Sequence, residues 1–303
     1  MKGGFGAVYK AIDLQVPGRF VAIKMPANPR DPEHLRRFRR ELGSVSAIDH
    51  PHVLKLIEKH PEGQPPFAVF EYLSGGTLRE QIKSGPLPFH AALLVLHQIA
   101  GALGAIHAKG GFHRDVKPDN IMFGGDGQCV LIDWNLANVP GATSDFTKNV
   151  AGTAGYIDPG AVNHSFDALA DIYSLGMTVA EASTGASPAV LMPRDQLVLS
   201  VQLPAPTPAQ SAAFARLLHA MTRKERELRP SATLVQEFSA VLVGGGIYPL
   251  LPGETPPRKA APVAPAADAA GAMFVILLVI GIAVLLSGST KGGGVAGPAG
   301  VPG

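Results

Sequence analysis

Polar and apolar positions follow different periods in different stretches of the chain. Val21-Ala22-Ile23-Lys24 alternates with period two, so a strand there places Ala22 and Lys24 on one face and Val21 and Ile23 on the other. A turn at Pro17-Gly18 separates it from a second strand-like run, Ala7-Val8-Tyr9-Lys10. Across 34–48 the period becomes helical, with Leu35, Phe38, Leu42 and Val45 on one face. Glu41 falls on that same apolar face. Phe67-Ala68-Val69-Phe70-Glu71-Tyr72-Leu73 reads as a strand and breaks at Ser74-Gly75-Gly76. Thr77 and Glu80 then carry the spacing of a capping box at the start of a helix. Residues 91–107 predict a long, largely apolar helix, and Asp171-Ile172-Tyr173-Ser174-Leu175-Gly176 opens another.

The pattern changes again at Gly244-Gly245-Gly246. Residues 244–268 are rich in Pro, Ala and Gly, cannot bury enough surface to fold, and read as an extended linker. Residues 269–286 form an uninterrupted apolar run of about 18 residues, roughly 27 Å as a helix, which predicts one membrane span. Its position rules out a signal peptide. Arg258 and Lys259 precede it and Lys291 follows, a thin positive-inside bias. The Gly-rich tail 287–303 is too short for a folded sensor beyond the span, so any stimulus is expected through the side of the folded domain, a partner, or clustering in the membrane.

With 303 residues and 46% hydrophobic content, the chain has material for one large or two small domains. A net charge of +2 gives no bulk electrostatic case for nucleic-acid binding. The lone cysteine, Cys129, excludes an intramolecular disulfide and sits in an apolar setting suited to a buried structural thiol.

The chemistry concentrates in His113-Arg114-Asp115-Val116-Lys117-Pro118-Asp119-Asn120, followed by Val130-Leu131-Ile132-Asp133. Asp115 can orient a hydroxyl nucleophile, and Lys117 can screen phosphate charge. Asn120 and Asp133 offer hard oxygen ligands suited to Mg²⁺ rather than zinc. His113 reads as a packed structural histidine. Upstream, Gly3, Gly4 and Gly6 let backbone amides approach phosphates closely. Ala22 leaves room for a flat base and Lys24 reaches phosphate. A carboxylate on an apolar helix face needs a cation, and Lys24 is the natural partner of Glu41. Arg36, Arg37, Arg39 and Arg40 read as a solvated helix surface, with a basic docking patch as the alternative.

Together these strings resemble the serine/threonine protein kinases over about residues 2–243, most closely the bacterial membrane-anchored branch. The resemblance implies an α+β, bilobal kinase fold. Its small β-rich N-lobe, about 1–73, would be truncated at the first strand, ahead of a helical C-lobe, about 74–243. It implies ATP and Mg²⁺ as cofactors, with Mn²⁺ as the alternative metal. Asp115 would orient the acceptor hydroxyl and take its proton, with Lys117 offsetting charge on the γ-phosphate. Gly3, Gly4, Gly6, Val8, Ala22, Lys24, Phe70, Glu71, Leu73 and Met122 would surround the nucleotide. Gly152-Thr153-Ala154-Gly155-Tyr156-Ile157 resembles the loop that seats the acceptor, with Thr153 as its platform residue. Asp171 would brace the catalytic loop, and Leu228-Arg229-Pro230 matches a closing arginine motif. Arg114 would receive a phosphorylated activation loop, with Thr147 ahead of Thr143 and Ser144 as the phosphosite. The implied partners are proteins bearing Ser or Thr and a second anchored kinase domain, with no nucleic acid. The implied location is the inner or plasma membrane, single-pass, with the kinase domain cytoplasmic.

Three positions depart from the family pattern. The phosphate loop begins at Met1, which suggests a start assigned too far downstream. Asp133-Trp134-Asn135 replaces Asp-Phe-Gly; the ligand is kept, Trp134 can pack beneath the helix carrying Glu41, and Asn tolerates left-handed backbone. Asp158-Pro159-Gly160 replaces Ala-Pro-Glu, removing the glutamate that pairs with the arginine matched by Arg229. A broken buried pair costs about 3–5 kcal/mol, so Arg229 is expected to bond another acid. Two other readings compete: a catalytically weak pseudokinase acting as a membrane scaffold, and a kinase of small-molecule hydroxyls. The short glycine loop and Gly160 favour the first; the settings of Thr153 and Asp171 disfavour the second.

Overall fold

The alternation at the start of the chain builds a five-stranded antiparallel sheet. A computed structural model describes residues 2–3, 6–133, 155–162, 166–192 and 205–255. Its strands are β1 (Lys2–Gly3), β2 (Gly6–Ile12), β3 (Phe20–Met25), β4 (Leu56–His60) and β5 (Phe67–Glu71), in the order β1-β2-β3-β5-β4. The truncated first strand is present as a two-residue β1. Register pairs Val8 with Lys24, Lys24 with Ala68, and Ala22 with Phe70. Cross-strand partners share a face, so Val8, Ala22, Lys24, Ala68 and Phe70 form one surface. Gly6 has φ 139°, and a Cβ there would sit 2.1 Å from Met25 O. Only glycine lets β2 leave its turn so close to β3.

Helix α1 (Pro32–Val45) packs Phe38, Leu42 and Val45 into the core beside this sheet. It starts two residues before the predicted 34 and stops short of the predicted 48, because Ser46 and Ala47 turn the chain out towards solvent. After β5 the chain passes the glycine break and enters α2 (Leu78–Lys83). Both halves of the predicted capping box form: Glu80 N–H donates to Thr77 Oγ1 at 3.1 Å, and Thr77 N–H donates to Glu80 Oε2 at 2.8 Å.

The rest of the domain is mainly helical. It comprises α3 (Phe89–Ala108), a short hairpin of β6 (Ile121–Phe123) and β7 (Cys129–Leu131), and α4 (Ala168–Thr184), α5 (Pro188–Leu191), α6 (Pro208–Met221) and α7 (Ala232–Gly244). Helix α3 packs on α7 and α4, and α4 also packs on α6. Among the described residues, α3 alone has the length and apolarity to cross a membrane. Its buried face, including Leu93, Leu96, Ile99 and Leu103, instead makes it the core helix of this lobe. Cys129 is fully buried, and burial raises its thiol pKa to about 12, as suits a structural thiol.

The chain divides into two units, Met1–Thr255 and Pro256–Gly303. The second unit, with the predicted span 269–286, lies outside the described residues. The linker expected from 244 starts later than composition suggests. Gly245 and Gly246 take positive φ and reverse the chain. Tyr248 then stacks on Phe238 at 5.2 Å, Leu251 is buried, and Arg223 donates to Pro252 O at 2.9 Å. Two apolar residues in a Pro/Gly-rich stretch suffice to bring 247–255 back onto the domain.

Candidate active site

Lys24 is the junction between the two lobes. The β3 alternation turns its side chain to the inner face of the sheet, where only 7% of the residue is exposed. Its Nζ lies 2.5 Å from Glu41 Oε1 on α1 and 2.8 Å from Asp133 Oδ1, just beyond β7. Burial alone would lower the lysine's pKa, but the two carboxylates outweigh it and the net shift is upward. Burial pushes the Glu41 carboxyl up, against the opposing pull of Lys24. The sequence pairs Lys24 with Glu41; the third member, Asp133, becomes its neighbour only through the fold.

The loop between α3 and β6, which carries Asp115, hangs from a single buried acid. Asp171, 1% exposed in the first turn of α4, accepts from His113 N–H and Arg114 N–H, each at 2.8 Å. His107 Nε2 reaches the same carboxylate at 2.9 Å. These bonds hold Arg114 at φ 69°, a left-handed conformation that a side-chain-bearing residue rarely takes. His113 is fully buried and its Nε2 contacts Ile132 O at 3.0 Å, so it is the packed structural residue the sequence indicated. Asp133, next along, is also left-handed at φ 57°. Strained backbone therefore clusters where the two acids converge.

Within the loop, Lys117 Nζ bonds both Asp115 oxygens, at 2.9 and 2.8 Å. Asn120 Nδ2 bonds Asp115 O and Oδ2, both at 2.8 Å. With its Nδ2 committed, Asn120 has its amide oxygen as a ligating atom. That oxygen and the Asp133 carboxylate are a hard donor set fitting Mg²⁺. Among the described residues no group of three His, Cys, Asp or Glu side chains forms a metal cage.

The residues expected around a nucleotide line up on the strands and the break after β5. Val8, Ala22 and Phe70 share the face of Lys24. Met122 on β6 is bridged to Thr77, and the β6 backbone is tied to the break by Gly75 N–H to Phe123 O at 2.8 Å and Phe123 N–H to Gly76 O at 2.9 Å. Glu71 exchanges bonds with Lys55, its backbone N–H donating to Lys55 O at 3.1 Å and its carboxylate accepting Lys55 N–H at 2.8 Å. Leu73 is buried. Gly3 lies in β1 and Gly6 opens β2. Gly4, Trp134, Asn135, Thr143, Ser144, Thr147 and Thr153 lie outside the described residues.

Two features were not read from the sequence. Arg79 on α2 bonds Glu181 at 2.7 Å, Tyr156 Oη at 2.6 Å and Asp119 at 3.2 Å, while Tyr156 also donates to Glu181. Nothing in the local pattern around Arg79 signals partners on three separate elements. The second is the acid bonded to Arg229. Asp158, fully buried, accepts two bonds from Arg229, at 2.7 and 2.9 Å. The expected substitute acid thus stands two residues before Gly160.

A protein kinase domain model matches residues 2–239 of the 303. The chain is similar to serine/threonine-protein kinase PknL of Mycobacterium tuberculosis, 38% identical over 191 residues, covering 61% of this chain and 48% of that protein. It is also similar to PknA of the same organism, 36% identical over 196 residues and covering 61% and 45%. Similarity to PknB of Mycobacterium leprae is 35% over 196 residues, covering 61% and 31%. The chain therefore spans half or less of the length of these curated relatives. Every described residue around Lys24 and Asp115 falls inside the matched region, and the chain belongs to the protein kinase domain family.

Proposed function

We propose that the chain is an ATP-dependent serine/threonine protein kinase. The observation that carries this reading is Lys24 held between Glu41 and Asp133, at 2.5 and 2.8 Å. A buried ammonium fixed by one acid and shared with a second can contact nucleotide phosphates without reorganising during transfer. Asn120 and Asp133 would hold Mg²⁺, which would supply neutralisation of phosphate charge. Asp115 orients the acceptor hydroxyl and takes its proton, from a position fixed by Asn120 and Lys117. Lys117, bonded to both Asp115 oxygens, offsets charge on the transferring γ-phosphate. Val8, Ala22, Phe70, Met122 and the backbones of Glu71 and Leu73 accommodate the adenine, with Gly3, Gly4 and Gly6 over the phosphates.

Arg114 supports a regulatory role for the stretch 140–150. Its Nε is buried without a hydrogen-bond partner among the described residues, and burial pushes the guanidinium pKa down. A phosphorylated Thr147, Thr143 or Ser144 would bring it an anion. The run 269–286 anchors the chain in the membrane, with Mn²⁺ able to replace Mg²⁺ and proteins as acceptors.

The test is transfer of radiolabelled γ-phosphate to the chain itself and to a generic protein, compared with Asp115→Asn. Loss of a positioned base lowers transfer by roughly 10²–10⁴-fold. Equal labelling by both proteins overturns the assignment of Asp115. Intact Mg-ATP binding with no transfer supports the scaffold reading, and transfer only to small hydroxyl compounds supports the third.

A further inference from the structure

Gly160, at one of the three departures from the kinase pattern, lies inside a cluster of two acids and two arginines. Asp158 is fully buried and holds both arginines. Arg229, whose side chain is 1% exposed, forms the bidentate pair already described and also donates to Arg223 O at 2.7 Å and Leu169 O at 3.1 Å. Arg226 lies alongside, with Nε 3.0 Å from Asp158 Oδ2 as an ion-pair contact. Its Nη2 donates to Asp167 Oδ1 at 2.7 Å. That same oxygen caps α4, accepting from Leu169 N–H and Ala170 N–H at 2.9 and 3.1 Å. The space beside residue 160 is taken: a Cβ on Gly160 would meet Arg226 Cδ at 2.9 Å.

We infer that Arg226 is a positioning residue that fills the place of a residue-160 side chain and, through Asp158 and Asp167, locks the segment 156–160 to the start of α4. Resting on the kinase reading above, this makes Gly160 a requirement of acceptor binding rather than a sign of its loss. The geometry has three parts. Gly160 N–H donates to Asp158 Oδ1 at 2.9 Å, closing the turn around Pro159. Asp158 is then held by two cations from the 223–229 stretch, one of which also reaches the α4 cap. Tyr156, at the other end of the segment, is buried and bonded to Arg79 and Glu181. A segment fixed at both ends presents one backbone path to an incoming acceptor chain. Removing Arg226 takes away the Asp167 link and one of the two cations on Asp158, which loosens that end while Arg229 stays on Asp158 and Leu169 O.

Arg226→Ala and Gly160→Ala, singly and together in the full chain, test this. Hydrogen exchange reads the lock directly and needs no catalysis. In each single variant, amide exchange at 156–160 is expected to rise about tenfold or more, with α3 amides unchanged. Because both substitutions act on one contact, the double variant should show no more than the larger single effect. Steady-state kinetics reads the consequence: KM for a protein acceptor rises about tenfold, with KM for ATP within about twofold of the parent. Unchanged exchange at 156–160 in Arg226→Ala overturns the lock. An equal rise in both KM values, or strict additivity in the double variant, reduces Arg226 to a general stability role and overturns its positioning of the acceptor. If the parent transfers no phosphate to protein, the kinase reading fails on its own, while exchange still decides the lock.

Discussion

At the scale of single residues, the site depends on charges that are tolerable only together. Lys24 is buried against Glu41 and Asp133, and either acid without the lysine would be a carboxylate crowded against another with no cation between. Lys24→Met therefore removes the group that steadies phosphate and also unbalances the lobe junction. Phosphate transfer should fall by about 10²–10³-fold, the loss typical of removing one preorganised electrostatic partner. Initial-rate assays at saturating Mg-ATP would show it, and a loss below threefold would contradict the role. The Lys24–Glu41 half of this triad was legible in the sequence because each residue betrays its face by local periodicity: period two on β3, helical on α1. The Asp133 contact was not, because it depends on how two lobes close across 109 positions of chain. That Arg229 would bond another acid was legible and holds, but the identity of that acid was not, because Asp158 is turned to it by the Asp158-Pro159-Gly160 turn and by Arg226, and neither is a local property.

At the scale of elements, the loop between α3 and β6 joins the two sides of the site through His113. Its Nε2–H donates to Ile132 O at 3.0 Å, which requires the neutral Nδ1 to face Asp115 N–H at 3.4 Å. Burial pushes the imidazole pKa below its usual 6.5, outweighing Asp171, Asp115 and Asp133, which pull it up. The sign follows from linkage: below pH 6.5 the unfolded chain takes up a proton that the folded chain resists. The stabilising contribution is thus complete above that value and is lost as pH falls towards the folded pKa. His50 and His219 shift the same way through burial. His113→Gln keeps an amide donor for Ile132 O but cannot titrate. Urea unfolding at pH 7, 6 and 5 should give a shallower loss of stability for this variant than for the parent, and parallel slopes would refute the assignment. The elements themselves were mostly legible. Amphipathic period placed α1, apolar length placed α3, and the spacing of Thr77 and Glu80 placed the start of α2. Composition misplaced the domain's end, because Tyr248 and Leu251 are single apolar residues in a stretch whose average is that of a linker.

At the scale of the whole chain, the membrane span proposed at 269–286 raises the question of what tethering would add to a kinase domain. Helix α3 has the length and apolarity of a span, but it is buried as the hub on which α4 and α7 pack. The run at 269–286 is flanked by breaker-rich sequence and is the segment expected to enter lipid. Tethering confines domains to two dimensions and raises the effective concentration of one for another without any new contact. If phosphorylation of 140–150 occurs between molecules, its rate per molecule should rise with surface density at constant bulk concentration. Reconstituting the full chain into vesicles at several protein-to-lipid ratios, with total protein fixed, isolates that variable. The expected result is an initial autophosphorylation rate per molecule that climbs roughly in proportion to density. A chain lacking 269–286 should stay in the soluble fraction and show a rate indifferent to the amount of lipid. A full-length rate that does not vary with density would mean that each molecule phosphorylates itself, and the anchor would then serve only to place the domain near its substrates.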